Sequence, residues 1–326
     1  MKKNDKLKNV TIMGGGVLGA QIAFQTAYSG FNVKIWLRSP DSITRTKQKI
    51  DKLKDTYIKT IKLMNTKEGK TFATWCRGIA DYDNFSKEEC LKKVDKAYNS
   101  IKYELDIESS LKNADLVIES MTEDFNAKKD LYIKMSPFIQ DKTIVVTNSS
   151  TMLPSRLAKY TGCKERFLAL HFANSIWKNN TAEVMKHKDT QDVYFDKVIS
   201  FAKEINMIPL PLHKEKAGYL LNSMLIPLLF SGLDLYVNGI SDPESIDSAW
   251  TLGTGAPKGP FRILDTVGLK TAHEIVLSYV KIPSFMAPYN FKGMEKLLKK
   301  YIDEGKLGES TGEGFYKYSK SGEKDE

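Results

Sequence analysis

His171 and Glu183 are the two side chains of this sequence best suited to acid–base chemistry. The histidine ends a predicted strand, RFLALH, and the glutamate, twelve positions later, opens the next one, EVM. A neutral imidazole exchanges protons near physiological pH, and a neighbouring carboxylate fixes its tautomer and stabilises the imidazolium. A lone histidine at a strand end is often structural, so the interpretation depends on further partners.

Ser150 and Asn222 could supply those partners by holding a substrate oxygen. Ser150 follows the predicted strand TIVVTNS, and Asn222 lies in the first predicted helix after the last strand. Ligands of a doubly wound sheet bind beyond the carboxyl ends of its strands, where Ser150 and His171 lie, whereas Glu183 must reach in from a neighbouring strand. Such a set suits hydride transfer between a nicotinamide and a secondary alcohol. The sequence Ser-Ser-Thr after a strand is also typical of a helix N-cap, which is the structural alternative.

Gly14, Gly16 and Gly19 form a G-x-G-x-x-G pattern between a predicted strand and a predicted helix. The first glycine permits a tight turn, the second lets the backbone approach a pyrophosphate, and the third lets the helix pack on the strand. The N–H groups and partial positive charge at the helix N-terminus attract phosphates. In this context the pattern predicts a dinucleotide site.

The second predicted strand lacks the acidic residue that would bind the ribose hydroxyls of NAD. It ends instead in Leu37-Arg38-Ser39. Arg38 and Ser39 could donate to a 2′-phosphate, and the guanidinium could stack on adenine. The cofactor is therefore predicted to be NAD or NADP, with a preference for NADP. The alternative is that Arg38 is a solvated loop residue.

The order of predicted elements indicates an α/β fold: a Rossmann-like, doubly wound parallel sheet domain followed by an all-α C-terminal domain. Strands are predicted at 10–13, 33–37, 114–120, 142–150, 166–172, 182–185 and 207–212, with helical patterns between several of them. After residue 212 only helical patterns follow. We expect a dinucleotide-binding domain at 1–208, with a helical insertion at about 41–113 that projects from the sheet, and a helical substrate and dimerisation domain at 209–326.

Composition excludes several functional classes. Of the 326 residues, 41% are hydrophobic and 27% charged, as in an ordinary globular protein. The net charge of +9 is spread along the chain, and no motif or basic stripe predicts nucleic-acid binding. Polar residues and a proline interrupt the most apolar stretch, so no membrane span is predicted. The 3 cysteines have no metal-ligand spacing, which predicts no metal site and a cytoplasmic location.

The chain resembles the 3-hydroxyacyl-CoA dehydrogenase family, specifically its short-chain 3-hydroxybutyryl-CoA dehydrogenase branch. The resemblance covers nearly the whole chain and rests on the succession GGGVLGAQIA, DLVIES, TNSST, LALHFAN, AEVM, AGYLLNSMLIP, TGAPKGPFRILDTVGL and GKLGESTGEGFYKY. It implies a nicotinamide-dependent oxidoreductase that dimerises through its C-terminal domain. An intramolecular core is the alternative explanation for the apolar helices of that domain.

The resemblance assigns a role to each residue of the site. His171 is the base, Glu183 orients it, Ser150 binds the substrate oxygen and Asn222 anchors the thioester side, so these four form the predicted catalytic set. Glu123 and Lys128, just beyond VIE, match the family's cofactor contacts. The full predicted cofactor set is Gly14, Gly16, Val17, Leu18, Gly19, Arg38, Ser39, Glu123, Lys128 and Asn148.

Three departures from the family bear on cofactor and substrate. The acid after the second strand is missing, and Ser310 stands where the family often has a lysine that reaches the cofactor. The family's HFFNPVPVMKLVE is rewritten as HFANSIWKNNTAE, so we expect Trp177, Lys178 and Asn179 to line or gate the pocket differently. The family's serine and lysine for coenzyme A align with Leu53 and Thr60, although Lys59 and Lys62 lie close and could substitute. We therefore expect Trp177 and Lys59 to join Ser150 and Asn222 in binding substrate.

The predicted reaction is the reversible oxidation of a short-chain 3-hydroxyacyl-CoA to the 3-oxoacyl-CoA. The first alternative keeps this chemistry but uses a free 3-hydroxy acid or a carnitine-like compound. The second alternative is a non-catalytic protein that binds the cofactor, which would have no chemical need for His171 together with Glu183.

Overall fold

The computed structural model describes residues 6–71, 74–283 and 285–318. The chain divides into two compact units between Leu220 and Leu221. The strand Ile208–Leu212 pairs with a neighbouring strand of the sheet, and Tyr219 and Leu220 contact residues of the sheet domain. For this reason the division falls later in the chain than the expected boundary at 208/209.

The first unit is built on one eight-stranded sheet with the order β3-β2-β1-β4-β5-β6-β7-β8. Strands β1 to β6 run parallel, whereas β7 is antiparallel to β6 and β8 is parallel to β7. Chain order reverses between β1 and β4, which is where such sheets bind ligands. The strands are β1 (Asn9–Met13), β2 (Asn32–Trp36), β3 (Lys102–Glu104), β4 (Leu116–Glu119), β5 (Ile144–Thr147), β6 (Phe167–Phe172), β7 (Thr181–Met185) and β8 (Ile208–Leu212).

Helices cover the sheet and explain its continuous apolar strands, since β4 and β5 are buried along their whole length. The helices of this unit are α1 (Val17–Tyr28), α2 (Pro40–Met64), α3 (Lys87–Ser100), α4 (Ile107–Leu111), α5 (Phe125–Met135), α6 (Pro154–Ala158) and α7 (Asp192–Glu204). Helix α1 is buried from Gly19 to Tyr28 because it packs between the sheet and α2 and α3.

The expected helical insertion at about 41–113 does not project from the sheet. Tyr57 of α2 and Val94 of α3 lie in the same buried cluster as Phe24 of α1. The Tyr57 hydroxyl donates to Gln25 Oε1 of α1 at 2.5 Å. Strand β3 also lies in this region and pairs with β2. The insertion is therefore part of the layer that covers the sheet.

The second unit is helical, as expected, and has its own core. Leu229, Phe261, Met294 and Leu298 are among the buried residues of that core. Its helices are α8 (Leu221–Val237), α9 (Pro243–Thr254), α10 (Pro260–Val267), α11 (Leu269–Leu277) and α12 (Phe291–Asp303). In neither unit does the described part of the chain contain a helix with the length and apolar character needed to span a bilayer.

Candidate active site

His171 and Glu183 face each other across strands β6 and β7. They are register partners of this antiparallel pair, and residues directly opposite each other point to the same face of the sheet. His171 Nδ1 lies 2.9 Å from Glu183 Oε2, and Glu183 is only 4% exposed. Sheet register thus brings together the two residues that the sequence paired.

Ser150 approaches the other side of the imidazole. It follows β5 after Asn148 and Ser149, and its hydroxyl oxygen lies 3.1 Å from His171 Nε2. If Nδ1 carries the proton and donates it to Glu183, Nε2 presents a lone pair beside the serine hydroxyl. This arrangement can accept a proton from an alcohol at Nε2 and can stabilise the resulting imidazolium through the carboxylate.

The segment that ends the first unit also contacts this pair, which sequence patterns did not indicate. The Leu220 N–H donates to Glu183 Oε1 at 2.8 Å, so the carboxylate is held at both oxygens. The ring of Tyr219 stacks on the imidazole of His171 with centroids 4.6 Å apart and 21° between planes. The Tyr219 hydroxyl donates to the Ser149 carbonyl at 2.7 Å.

Glu123 organises the loop that presents Ser150. Its Oε1 accepts hydrogen bonds from the Ser149 hydroxyl, the Thr151 N–H at 2.9 Å and the Thr151 hydroxyl at 2.7 Å. Burial raises the pKa of Glu123, but these hydrogen bonds and the charge of Lys128 outweigh burial and hold the pKa below its ordinary value. The sequence predicted that Glu123 contacts the cofactor. In the structure its Oε1 also holds the loop on both sides of Ser150.

Lys128 lies in a buried ion pair at the end of β4. Its ammonium is 2.6 Å from Glu119 Oε1 and 3.5 Å from Glu123 Oε2, and the side chains of Lys128 and Glu119 are 1% and 0% exposed. Glu119 Oε2 accepts further bonds from Tyr132 and Thr147 hydroxyls. The ammonium of Lys128 is thus bound by protein carboxylates. Its contact with the cofactor stays a prediction.

Asn148, also predicted to bind cofactor, joins β5 to its neighbours. Its N–H donates to the Glu119 carbonyl at 2.8 Å, and its Oδ1 accepts from the Phe172 N–H at 3.1 Å. These two contacts leave the side-chain amide nitrogen of Asn148 available to a ligand. The residue thus fixes the end of β5 against β4 and β6, next to Ser150.

The glycine turn has the geometry that a dinucleotide needs. Gly14 has a φ of +118°, and a Cβ there would lie 2.7 Å from the Ser120 carbonyl oxygen. A Cβ on Gly19 would lie 2.2 Å from the Gly14 carbonyl oxygen, whereas one on Gly16 would meet open space. Gly16 precedes α1, has no side-chain cap, and is followed by exposed Val17 and half-buried Leu18. The helix N-terminus is therefore accessible to a pyrophosphate.

Basic side chains line the cleft beside this turn. Exposed Arg38 follows β2, and Arg45 and Lys49 extend from α2 into the same cleft. Lys49 Nζ donates to the Gly15 carbonyl at 3.1 Å, and the Ser39 and Ser42 hydroxyls lie 3.0 Å apart at the start of α2. Sequence analysis named Arg38 and Ser39 but missed a stripe at helical spacing that includes Ser42, Arg45, Thr46 and Lys49.

The predicted substrate residues are only partly connected to this site. Trp177 packs on Tyr57 of α2 with centroids 5.6 Å apart, and its carbonyl accepts from the Gly78 N–H at 3.2 Å. Lys59 is exposed on α2. Asn222 lies in the first turn of α8, in the second unit. Their roles in binding substrate remain predictions.

Comparisons with known proteins identify the family. Residues 9–216 match the model of the 3-hydroxyacyl-CoA dehydrogenase NAD-binding domain, and residues 218–318 match that of its C-terminal domain. The mitochondrial hydroxyacyl-coenzyme A dehydrogenase of Homo sapiens is 31% identical over 312 residues, which are 96% of this chain and 91% of that protein. The 3-hydroxybutyryl-CoA dehydrogenase of Clostridioides difficile is 30% identical over 95% of this chain and 99% of its own length.

A solved structure has a higher sequence identity to this chain than these two relatives have. The chain is similar to a diketoreductase, described as a dual catalyst of dicarbonyl compounds, with 45% identity and a TM-score of 0.81 over 96% of this chain and 99% of that one. The match covers both units. On the strength of the family models and relatives, this chain is an oxidoreductase with an NAD-binding domain and belongs to the 3-hydroxyacyl-CoA dehydrogenase family.

Proposed function

We propose that this protein catalyses the reversible oxidation of a short-chain 3-hydroxyacyl-CoA to the 3-oxoacyl-CoA with a nicotinamide cofactor. The observation that carries this proposal is the alignment of Ser150, His171 and Glu183, in which one imidazole lies 3.1 Å from a hydroxyl and 2.9 Å from a carboxylate. This set matches the needs of a secondary alcohol that loses a hydride and a proton. A non-catalytic cofactor-binding protein would have no need for it.

Side chains of the protein carry out the proton transfer. In the oxidation direction His171 Nε2 removes the hydroxyl proton while the C3 hydrogen leaves with its electron pair as hydride. Glu183 keeps Nδ1 protonated, so that Nε2 faces the substrate, and it compensates the positive charge that forms. Ser150 holds the substrate oxygen beside Nε2, and Asn222 is proposed to anchor the thioester side. In the reverse direction the same imidazolium returns the proton to the forming alkoxide.

The nicotinamide cofactor, when bound, supplies or accepts the hydride. Gly14, Gly16 and Gly19, followed by the N-terminus of α1 at Val17 and Leu18, would hold its pyrophosphate. Glu123, Lys128 and Asn148, around the ends of β4 and β5, are proposed to lie along the nicotinamide side. Open space at Gly16 and the uncapped helix N-terminus support this fit.

We propose NADP as the preferred cofactor within this NAD-binding fold. Leu37, which follows β2, cannot bind ribose hydroxyls through its side chain, while Arg38 and Arg45 bring two cations to the cleft. The Ser39 and Ser42 hydroxyls add donors at the N-terminus of α2. A 2′-phosphate is the ligand that benefits from such a set, since hydrogen bonds between ionised partners are the strong ones.

A second candidate substrate is a free 3-oxo or 3-hydroxy compound without coenzyme A, including carnitine-like compounds. The 45% identity to a diketoreductase exceeds the identities to the two CoA-named relatives above. At the positions aligned with the family's CoA contacts, Leu53 is only 7% exposed and the Thr60 hydroxyl donates to the Thr56 carbonyl at 2.8 Å. Lys59, next to Thr60, is an exposed cation on α2 that could bind a CoA phosphate instead.

Parallel steady-state assays separate these candidates. Acetoacetyl-CoA and free acetoacetate are each reduced with NADH and with NADPH, and free CoA is added as a competitor. Turnover of acetoacetyl-CoA that CoA inhibits supports the thioester proposal. Faster turnover of acetoacetate without CoA inhibition favours the second candidate. Oxidation of carnitine is assayed in the same way with NAD and NADP, and absence of turnover with all three substrates overturns the acid–base proposal.

We further propose a homodimer formed through the second unit, and a cytoplasmic location. Leu221, Met224 and Leu252 are 50%, 67% and 86% exposed on α8 and α9, whereas Leu229 is buried in the core of its own unit. Burial of these exposed side chains against a second copy would stabilise a dimer. All three cysteines are free and buried, which is compatible with the reducing compartment expected from sequence.

A further inference from the structure

We infer that Tyr219 is a positioning residue that holds the His171 ring and the Ser150 loop in register with each other. The inference rests on the proposed function, because it concerns the geometry of the same acid–base pair. Tyr219 stacks on His171 and donates a hydrogen bond to Ser149, the residue before Ser150.

The ring of Tyr219 restrains the imidazole. Centroids are 4.6 Å apart and the planes differ by 21°, so the ring lies nearly flat on one face of His171. Glu183 binds Nδ1 and Ser150 binds Nε2, and these two hydrogen bonds leave the imidazole free to tilt about the line that joins them. A stacked ring removes this tilt and keeps Nε2 aimed at the hydroxyl of Ser150.

The hydroxyl of Tyr219 restrains the serine loop. It donates to the Ser149 carbonyl at 2.7 Å, one residue before Ser150. Burial raises the pKa of Tyr219 far above its ordinary value, and the charges of Glu123, Glu183 and Glu119 raise it further. The phenol therefore stays protonated and remains a donor at any pH at which the enzyme would work.

The backbone around Tyr219 adopts an unfavourable conformation to make these contacts. Gly218 and Tyr219 have φ values of +79° and +53°, and a residue with a Cβ rarely adopts such a left-handed conformation. The next N–H, that of Leu220, donates to Glu183 Oε1 at 2.8 Å. Side chain and backbone of this short segment thus hold His171, Glu183 and the Ser150 loop together. Strain retained at such a position is typical of functional sites.

Three substitutions separate the ring, the hydroxyl and the backbone. Tyr219→Phe keeps the stacked ring and removes the hydroxyl, and Tyr219→Leu removes the ring. Tyr219→Gly removes the ring but relieves the left-handed backbone. The matched control is Tyr28→Leu, because Tyr28 is also buried and its hydroxyl also donates to a backbone carbonyl, that of Ile79 at 3.2 Å.

We expect Tyr219→Phe to lower kcat for reduction of acetoacetyl-CoA, or of acetoacetate, by about twofold to tenfold, the effect of one neutral hydrogen bond. Tyr219→Leu and Tyr219→Gly should lower kcat by roughly a hundredfold, as misplaced catalytic groups do, with little change in KM. The solvent deuterium isotope effect on kcat should increase in both, because proton transfer becomes slower. A role in folding alone would lower kcat only through the folded fraction and leave the isotope effect unchanged, as expected for Tyr28→Leu.

A measurement without turnover separates failure of this inference from failure of the proposed function. The proton shared by His171 Nδ1 and Glu183 gives a downfield resonance in ¹⁵N-histidine-labelled protein, assigned by its loss in His171→Gln. We expect the resonance to persist in Tyr219→Phe and Tyr28→Leu and to broaden or vanish in Tyr219→Leu and Tyr219→Gly. An unchanged resonance and isotope effect in the Leu and Gly variants would overturn the positioning role. An inactive wild type that shows the expected resonance pattern would overturn the proposed function instead.

Discussion

The ammonium of Lys128 and the carboxylate of Glu119 form an ion pair at 2.6 Å, with side chains that are 1% and 0% exposed. The pair lies where β4 ends, and Lys128 also lies 3.5 Å from Glu123, which binds the loop that carries Ser150. Loss of one partner leaves an uncompensated buried charge. Lys128→Met should therefore lower the free energy of unfolding by roughly 3–5 kcal/mol.

Chemical denaturation of the single and double variants measures this effect. The double variant Glu119→Gln/Lys128→Met should regain much of the loss, because no unpaired charge remains. The dissociation constant of the cofactor, measured on the same proteins, tests whether Lys128 also contacts it. A Lys128→Met protein of wild-type stability would contradict the structural part of this prediction.

The pKa of Glu123 gives the Ser150 loop a defined response to pH. Its folded pKa lies below its ordinary value of 4.5, so the folded protein binds this proton less tightly than the unfolded chain does. The stabilisation is fully present above the unfolded pKa and is lost as the pH falls through the folded pKa. Unfolding measurements from pH 7 to about pH 3 test this. The wild type should have a larger free energy of unfolding than Glu123→Gln at pH 7, and this difference should shrink once the pH falls below the pKa of Glu123 in the unfolded chain.

Glu204→Gln is the control for that experiment, because it removes the same charge from an exposed site at the end of α7. A stability difference between wild type and Glu123→Gln that stays constant across the whole pH range would show that the carboxylate does not titrate as the structure indicates. The same result in both variants would assign the effect to net charge.

Arg38 and Arg45 should determine the choice between NADP and NAD. Because a charge-assisted hydrogen bond contributes about 1.5–3 kcal/mol, Arg38→Gln should raise KM for NADPH by about tenfold or more and leave KM for NADH nearly unchanged. Arg45→Gln should act in the same direction. Steady-state kinetics gives KM for NADPH and for NADH in each variant, and Lys134→Gln on α5 is the control for the loss of a positive charge. A wild type that strongly prefers NADH would refute the prediction.

The exposed apolar side chains of α8 and α9 predict a dimer that a single charge can break. Leu252 is 86% exposed, and Leu252→Asp would bury a carboxylate in the proposed interface, which is costly without a partner. We expect light scattering after size-exclusion chromatography to give a dimer for the wild type and a monomer for this variant. Leu277→Asp, on an exposed position of α11, should remain dimeric. A monomeric wild type would contradict the proposal.

Much of the sheet could be predicted because its strands are buried apolar runs. All seven predicted strands are present, from β1 to β8 apart from β3. Strand β3 was missed because Lys102, Tyr103 and Glu104 form a short polar edge without an apolar run. The packing of α2 on α1 was missed because the buried hydrogen bond between Tyr57 and Gln25 joins residues 32 positions apart, which no local periodic pattern indicates.

The site shows the same division between local pattern and tertiary contact. His171 and Glu183 could be paired from sequence because each lies on a strand and sheet register brings them together. Tyr219 could not, because its stacking on His171 depends on a left-handed backbone that no periodic pattern indicates. Arg45 and Lys49 were within reach of prediction, since helical spacing from Ser42 places all three on one face of α2.

The most direct test of the account is the turnover of His171→Gln under conditions in which cofactor binding is measured on the same sample. Acetoacetyl-CoA or acetoacetate, whichever the wild type reduces, serves as the substrate. Loss of a general acid or base should lower kcat roughly a hundredfold to ten-thousandfold, while the dissociation constant of the cofactor stays near that of the wild type. A His171→Gln protein that binds cofactor normally and keeps near-normal turnover would contradict the central claim.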